Sequence, residues 1–215
     1  MWKWMMIAAF YTLANDSAAG GPAALPSAAR TARQIRSAVV TQGRLSFDGR
    51  ANVGDFTGAT TTVSGELIGG DDITGVRGWV EAPVRMLVTG NGKRDRDLNK
   101  SMESDRYPTI RFELSGVTVR EEAGDTAQVN LRGRFQIHGV VRDVELPATI
   151  VLGDDFIGIR ADTPLDLKDY RIGGLSKAFG VLRMYPDILV HIDVTFAPRA
   201  PAPAAASAPA AEAQS

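Results

Sequence analysis

Cysteine is absent from all 215 residues, which removes disulfides, thiolate nucleophiles and cysteine metal sites in one step. Histidine is nearly absent. Its two representatives, His138 and His191, stand beside an expected hairpin turn and on the outward side of an expected last strand, so they do not share a zinc site. No metal and no other cofactor is expected. An excess of one charge is also lacking: 24 basic and 25 acidic residues leave a net charge of −1, and no basic run is interleaved with aromatics to track a phosphate backbone. Nucleic acid is therefore not an expected partner. Paired carboxylates occur at Asp71–Asp72 and Asp154–Asp155, but each pair follows glycine in turn-like surroundings, where Asp serves local backbone hydrogen bonding. Ser176 and Lys177 lie side by side in a Gly-rich loop that supplies neither an oriented base nor an oxyanion site. With no catalytic constellation, the chain reads as a non-enzyme.

What is present begins with a location signal. Lys3 precedes an apolar run from Trp4 to Ala14, too short to span a bilayer, and the small residues Ser17, Ala18 and Ala19 suit a cleavage site. Residues 1–19 are thus read as a signal peptide for export to the periplasm or beyond. Residues 20–42 read as a linker and the approach to a first strand, since Gly20 to Ala29 holds only Gly, Pro, Ala, Ser and one Leu. Residues 198–215 alternate Ala and Pro with almost no charge and read as a disordered spacer. Between the tails, with 44% hydrophobic residues over the whole chain, one domain over 43–197 can bury one core.

The periodicity of that domain is two. Ile110, Phe112 and Leu114 alternate with Arg111, Glu113 and Ser115, giving one apolar and one wet face. Val129, Leu131, Phe135 and Ile137 repeat the rule, and after Gly139 the residues Val144, Leu146, Ala148, Ile150 and Leu152 take the opposite parity, as a tight antiparallel hairpin requires. Ile157, Ile159, Ala161, Leu165 and Leu167 form another apolar face, and Val190, Ile192, Val194 and Phe196 close the domain. Earlier strands are expected at 45–50, 55–67 and 76–88, for about eight in all. Eight such strands bury their apolar side in a sandwich or by closing into a barrel, and periodicity alone leaves both open.

Two motifs go further. The stretch from Val88 to Leu114 ends a strand at Thr89 and Asn91, carries Arg94, Asp95 and Leu98 on a short charged helix, and opens a new strand with Tyr107, Pro108, Ile110 and Phe112. A second segment, FQIHGVVRDVELPATI, places Gly139, Val140 and Arg142 in a hairpin leading to Val144 and Leu146. In this order and spacing they resemble the signature of the YceI-like, lipocalin-like polyisoprenoid-binding proteins, over roughly Gly43 to Ala197. Asp97 stands where that family commonly has a histidine before the Leu, and SFDGRANVGDFTG replaces its usual first-strand pattern, which marks a divergent member.

The resemblance implies an all-β fold, a single lipocalin-like antiparallel barrel of about eight strands with a short helix between strands. It also implies an isoprenoid-type lipid as partner. On that reading the inward residues Leu45, Phe47, Phe56, Val80, Met86, Phe112, Phe135, Ile137, Leu146, Ile150, Ile159 and Phe196 line a lipid tunnel; taken singly, each is also an ordinary core residue. Lys93, Arg94 and Arg96 offer donors suited to a phosphate head group, yet alternating charges with Asp95 and Asp97 fit a solvated, capped helix better. The loop from Gly173 to Asp187 holds more apolar surface than a connection needs, so Leu175, Phe179 and Leu182 are candidates for a portal, a plug, a peripheral membrane contact or a homodimer interface. The expected function is non-catalytic binding or transport of a long-chain isoprenoid or similar apolar lipid. The alternative is an envelope protein-interaction module with a filled barrel core.

Overall fold

The computed structural model describes residues 34–173, 176–177 and 182–198. The expected signal peptide, the Gly/Ala-rich part of the linker and the Ala/Pro tail beyond Pro198 lie outside the described residues. So do Leu175 and Phe179.

Strands β1 (Ala38–Gly49), β2 (Phe56–Thr60), β3 (Ser64–Ile68) and β4 (Arg77–Pro83) precede a helix, α1 (Gly92–Ser101). The long strands β5 (Thr109–Ala123), β6 (Thr126–Ile137), β7 (Val140–Leu152) and β8 (Ile157–Asp166) follow, and β11 (Asp187–Pro198) ends the fold after a small ribbon of β9 (Ser176–Lys177) and β10 (Leu182–Arg183). Each long strand pairs antiparallel with its neighbour, and β11 pairs with both β8 and β1. That last pairing closes the sheet into a barrel and removes its free edges. The eight-strand expectation holds because β2 and β3 pair one after the other along the same edge of β1. They are two pieces of the single strand expected over 55–67, broken at Thr61–Val63.

The apolar alternation becomes burial on the barrel's inside. On β6 the side facing in holds Ala127, Val129, Leu131, Gly133, Phe135 and Ile137, all buried, while the intervening residues are wholly or partly exposed. The β6–β7 hairpin turns on His138 and Gly139, with φ of 51° and 72°, and pairs Ile137 with Val140. Two residues at positive φ are what a tight hairpin on twisted strands needs, and glycine takes the second at no steric cost. Bulges between Val40 and Gln42, Leu114 and Gly116, and Val119 and Glu121 bend β1 and β5 around the curve.

Two boundaries differ from the sequence-based expectation. The first strand starts at Ala38, inside what reads as linker, and Ile35 before it is buried and bridges Gly70. The strand expected over 76–88 stops at Pro83, where the chain turns into a 3₁₀ segment over Val84–Met86. Proline has no N–H to continue the ladder, and the turn breaks the alternation. Val84 is then fully buried, whereas Met86 is 52% exposed, so its expected place in the barrel lining is corrected.

Candidate functional site

The helix and the hairpin form a frame around one end of the barrel. Asn91 caps α1, its side-chain oxygen accepting from the Lys93 and Arg94 N–H groups at 3.0 and 3.2 Å. Asp95, in the first turn, accepts from the Thr89 N–H at 2.8 Å and the Thr89 hydroxyl at 2.6 Å. Arg94 donates through Nε to the same hydroxyl at 3.1 Å and lays its guanidinium over the Phe56 ring at 4.3 Å. Leu98 and Met102 dock the helix onto the core. Arg94 and Asp95 thus join the helix to Thr89, in the segment that leads into it, and to β2.

The two sequence motifs meet at this frame. The Tyr107 ring packs against Gly139 so closely that a Cβ there would sit 2.3 Å from Tyr107 Cε1, and it meets the His138 ring edge-on at 4.8 Å. His138 Nδ1 is 3.0 Å from the Tyr170 carbonyl, and its Nε2 stands 3.4 Å from Glu103 Oε1, too poorly directed to count as a hydrogen bond. Arg142 reaches the Asp169 carbonyl at 3.2 Å and its carboxylate at 3.3 Å. These contacts hold the 3₁₀ turn Leu167–Tyr170 against the hairpin, and burial pushes the Tyr170 phenol above its ordinary range.

Inside the frame lies a cavity of about 600 Å³. Its wall is largely apolar, with Phe47, Leu87, Leu98, Met102, Ile137, Leu165, Ile188 and Val190 among the lining residues. Its mouth is polar: Asn91, Lys93, Arg94 and Asp97 from the helix side, Asp55 from the β1–β2 connection, and Arg183 from β10. The volume falls in the range of small-molecule sites, and an apolar wall with a few converging polar groups is the usual build of one. Past Phe135 lies a void of about 60 Å³, and at the opposite end of the barrel a cleft of about 370 Å³ opens beside Ala38, Ile157 and Phe196.

Of the residues expected to line a tunnel, Leu45, Phe47, Phe56, Phe135 and Ile137 line the cavity. Val80, Phe112, Leu146, Ile159 and Phe196 surround the small void instead, and Phe135 borders both spaces. Ile150 is 2% exposed and borders neither. Phe112 and Phe135 stand opposite one another on β5 and β6, their rings 5.1 Å apart. Leu182 belongs to the β9–β10 ribbon, where it pairs with Lys177. Sequence reasoning missed Leu87, Met102, Leu165, Ile188 and Met184 as lining residues. Of these, Leu165 carried a signal, through the apolar face expected for its strand.

The second histidine serves a different place. His191 projects from the outer face of β11, where Nδ1 is 2.6 Å from Asp162 on β8 and Nε2 is 3.1 Å from Asp48 on β1. It bridges both strands that flank β11 and so clasps the seam that closes the barrel. The Asp162 and Asp48 carboxylates hold the imidazole pKa above its ordinary 6.5. Asp48 is held below its ordinary 3.8 by the Thr57 hydroxyl and by His191. Among the described residues no group of His, Asp and Glu is placed to hold a metal ion.

Comparison with known proteins agrees with this fold. The YceI-like domain model matches residues 37–196. Among solved structures, a polyisoprenoid-binding domain from Saccharophagus degradans is similar at 13% identity with a TM-score of 0.63, over 76% of this chain and 99% of that one. BcnA of Burkholderia cenocepacia is similar at 14% identity with a TM-score of 0.59, over 71% of this chain and 95% of that one. At such identities the likeness is one of fold. No curated protein matches.

Proposed function

The chain belongs to the YceI-like family, and on that premise we propose that its barrel is a non-catalytic carrier of an isoprenoid-type lipid. The observation that carries the proposal is the cavity at the helix end, about 600 Å³, apolar within and polar at its mouth. Sequestering an apolar chain there removes it from water at about 25 cal/mol per Å² of apolar area. At the rim, Lys93, Arg94, Arg183 and Asn91 offer donors and Asp55 and Asp97 acceptors, enough to orient a polar head at the opening. Val53 borders the same mouth and is 70% exposed, a fit to brief contact with the membrane from which such a lipid is drawn. Residence in the periplasm or outside the cell follows from that role and from the apolar run after Lys3.

The test is mass spectrometry of lipid co-purified after native extraction. A stoichiometric isoprenoid species, released by organic solvent and absent from a parallel preparation of an unrelated barrel, is the expected result. Protein that carries no lipid and whose melting no isoprenoid shifts would overturn the carrier reading in favour of a protein-interaction module.

A further inference from the structure

The interior of this barrel is not one tunnel. The cavity of about 600 Å³ and the void of about 60 Å³ lie in line, and the residues that border both are Leu45 on β1, Ile110 on β5 and Phe135 on β6. Phe135 is 5% exposed and meets the Phe112 ring at 5.1 Å. The Phe112 ring lies over Gly133, where a Cβ would stand 2.6 Å from Phe112 Cζ, so the missing side chain of Gly133 is what lets that ring settle below Phe135. Past this point the interior is closed by buried side chains, among them Leu131, Leu146, Val194 and Phe196. A lipid tail entering from the mouth therefore meets a wall partway along the barrel.

Resting on the carrier reading above, we infer that Leu45, Ile110 and Phe135 form a stop that limits how much isoprenoid chain the protein encloses. Taking ~30 Å³ for each methylene-sized group, the volume of a liquid water, a cavity of this size takes about twenty carbons, or about four isoprene units. Each unit that enters is removed from water and strengthens binding; each unit beyond the stop stays outside and adds little. The wall is built from large side chains in a close-packed interior, which resists opening by a partial shift. Affinity thus climbs with chain length and then levels off, and the break reports the position of the stop.

The experiment measures the dissociation constants of delipidated protein for linear prenols of two, three, four, six and eight isoprene units, delivered from cyclodextrin. For the wild type, affinity rises roughly tenfold or more per unit up to about four and changes less than about threefold from four to eight units. Phe135→Ala joins the two spaces and moves the break outward, so that the six-unit prenol gains roughly tenfold over the four-unit one. Leu45→Ala and Ile110→Ala are made alongside, and each moves the break in the same direction even where Phe135→Ala fails to fold. Ile150→Ala, which borders neither space, leaves the break in place. A wild-type affinity that keeps climbing through eight units overturns the stop while the carrier reading stands. No binding by any prenol overturns both.

Discussion

Toward the helix end the barrel opens a cavity of about 600 Å³, whereas immediately past Phe135 it leaves a void of about 60 Å³. Both halves are lined by the same residue types, so apolar composition is not what separates them. The difference lies in what crosses the axis. In the packed half, β6, β7, β8 and β11 pair in unbroken register and bring Leu131, Leu146, Ile159, Val194 and Phe196 together, and Ile35, Ile73 and Val76 join the same core. In the open half β4 stops at Pro83 and the chain arches away until β5 resumes at Thr109. Over that span the apolar side chains lent to the interior include Val84, Leu87, Leu98 and Met102. The cavity of about 600 Å³ lies there.

The contrast is broken most severely in the packed half. Phe196 is fully buried, so Phe196→Ala should cost about 3 to 5 kcal/mol in chemical denaturation, equally with and without lipid. A cost that shrinks when an isoprenoid is added would place the guest beside Phe196, past the wall at Phe135. In the open half Phe47 meets the Phe56 ring edge-on at 6.1 Å and faces the cavity. Phe47→Ala should cost the lipid-free protein about 2 kcal/mol, because part of its surroundings is already empty, and should lower the stabilisation that lipid confers.

The frame should respond more weakly. Asp95→Ala removes two hydrogen bonds to Thr89 and should lower stability by about 1 kcal/mol while leaving lipid affinity unchanged. Lost binding at an unaltered melting temperature would move Asp95 from the frame to the site. The smallest effect belongs to the seam. The folded-state pKa of His191 is raised, so its contribution is complete below about pH 6.5 and is lost as the pH rises through the raised value. Asp48 acts at the other limit: its folded-state pKa is lowered, so its contribution is lost as the pH falls below about 4. The wild-type melting temperature should therefore fall between pH 6.5 and 8.5 by more than that of His191→Gln. Parallel curves would show that the clasp contributes nothing to folding.

Much of the fold was legible because one-sided burial writes itself as alternation. Strands β5 to β8 and β11, the Gly139 hairpin and the helix at Arg94–Leu98 all follow from it or from the motifs. The break at Thr61–Val63 was not legible, since polar and β-branched residues continue the pattern across it. Met86 was misplaced because parity was carried past Pro83 into a 3₁₀ turn where parity has no meaning. Ala38 was assigned to a linker because Arg30 to Ser37 holds a single large apolar residue, Ile35, and shows no alternation. The cavity itself was illegible for a deeper reason: Ile137 beside free space and Ile150 in close packing are the same side chain in the same pattern.

The most direct test is methyl NMR of the delipidated protein titrated with geranylgeraniol. Resonances of Leu45, Leu87, Leu98, Ile137 and Leu165 around the cavity should shift, while those of Leu131, Leu146, Ile150 and Val194 in the packed half should hold their positions. Shifts spread evenly through both halves, or confined to the outer face, would contradict a carrier whose guest occupies only the helix end.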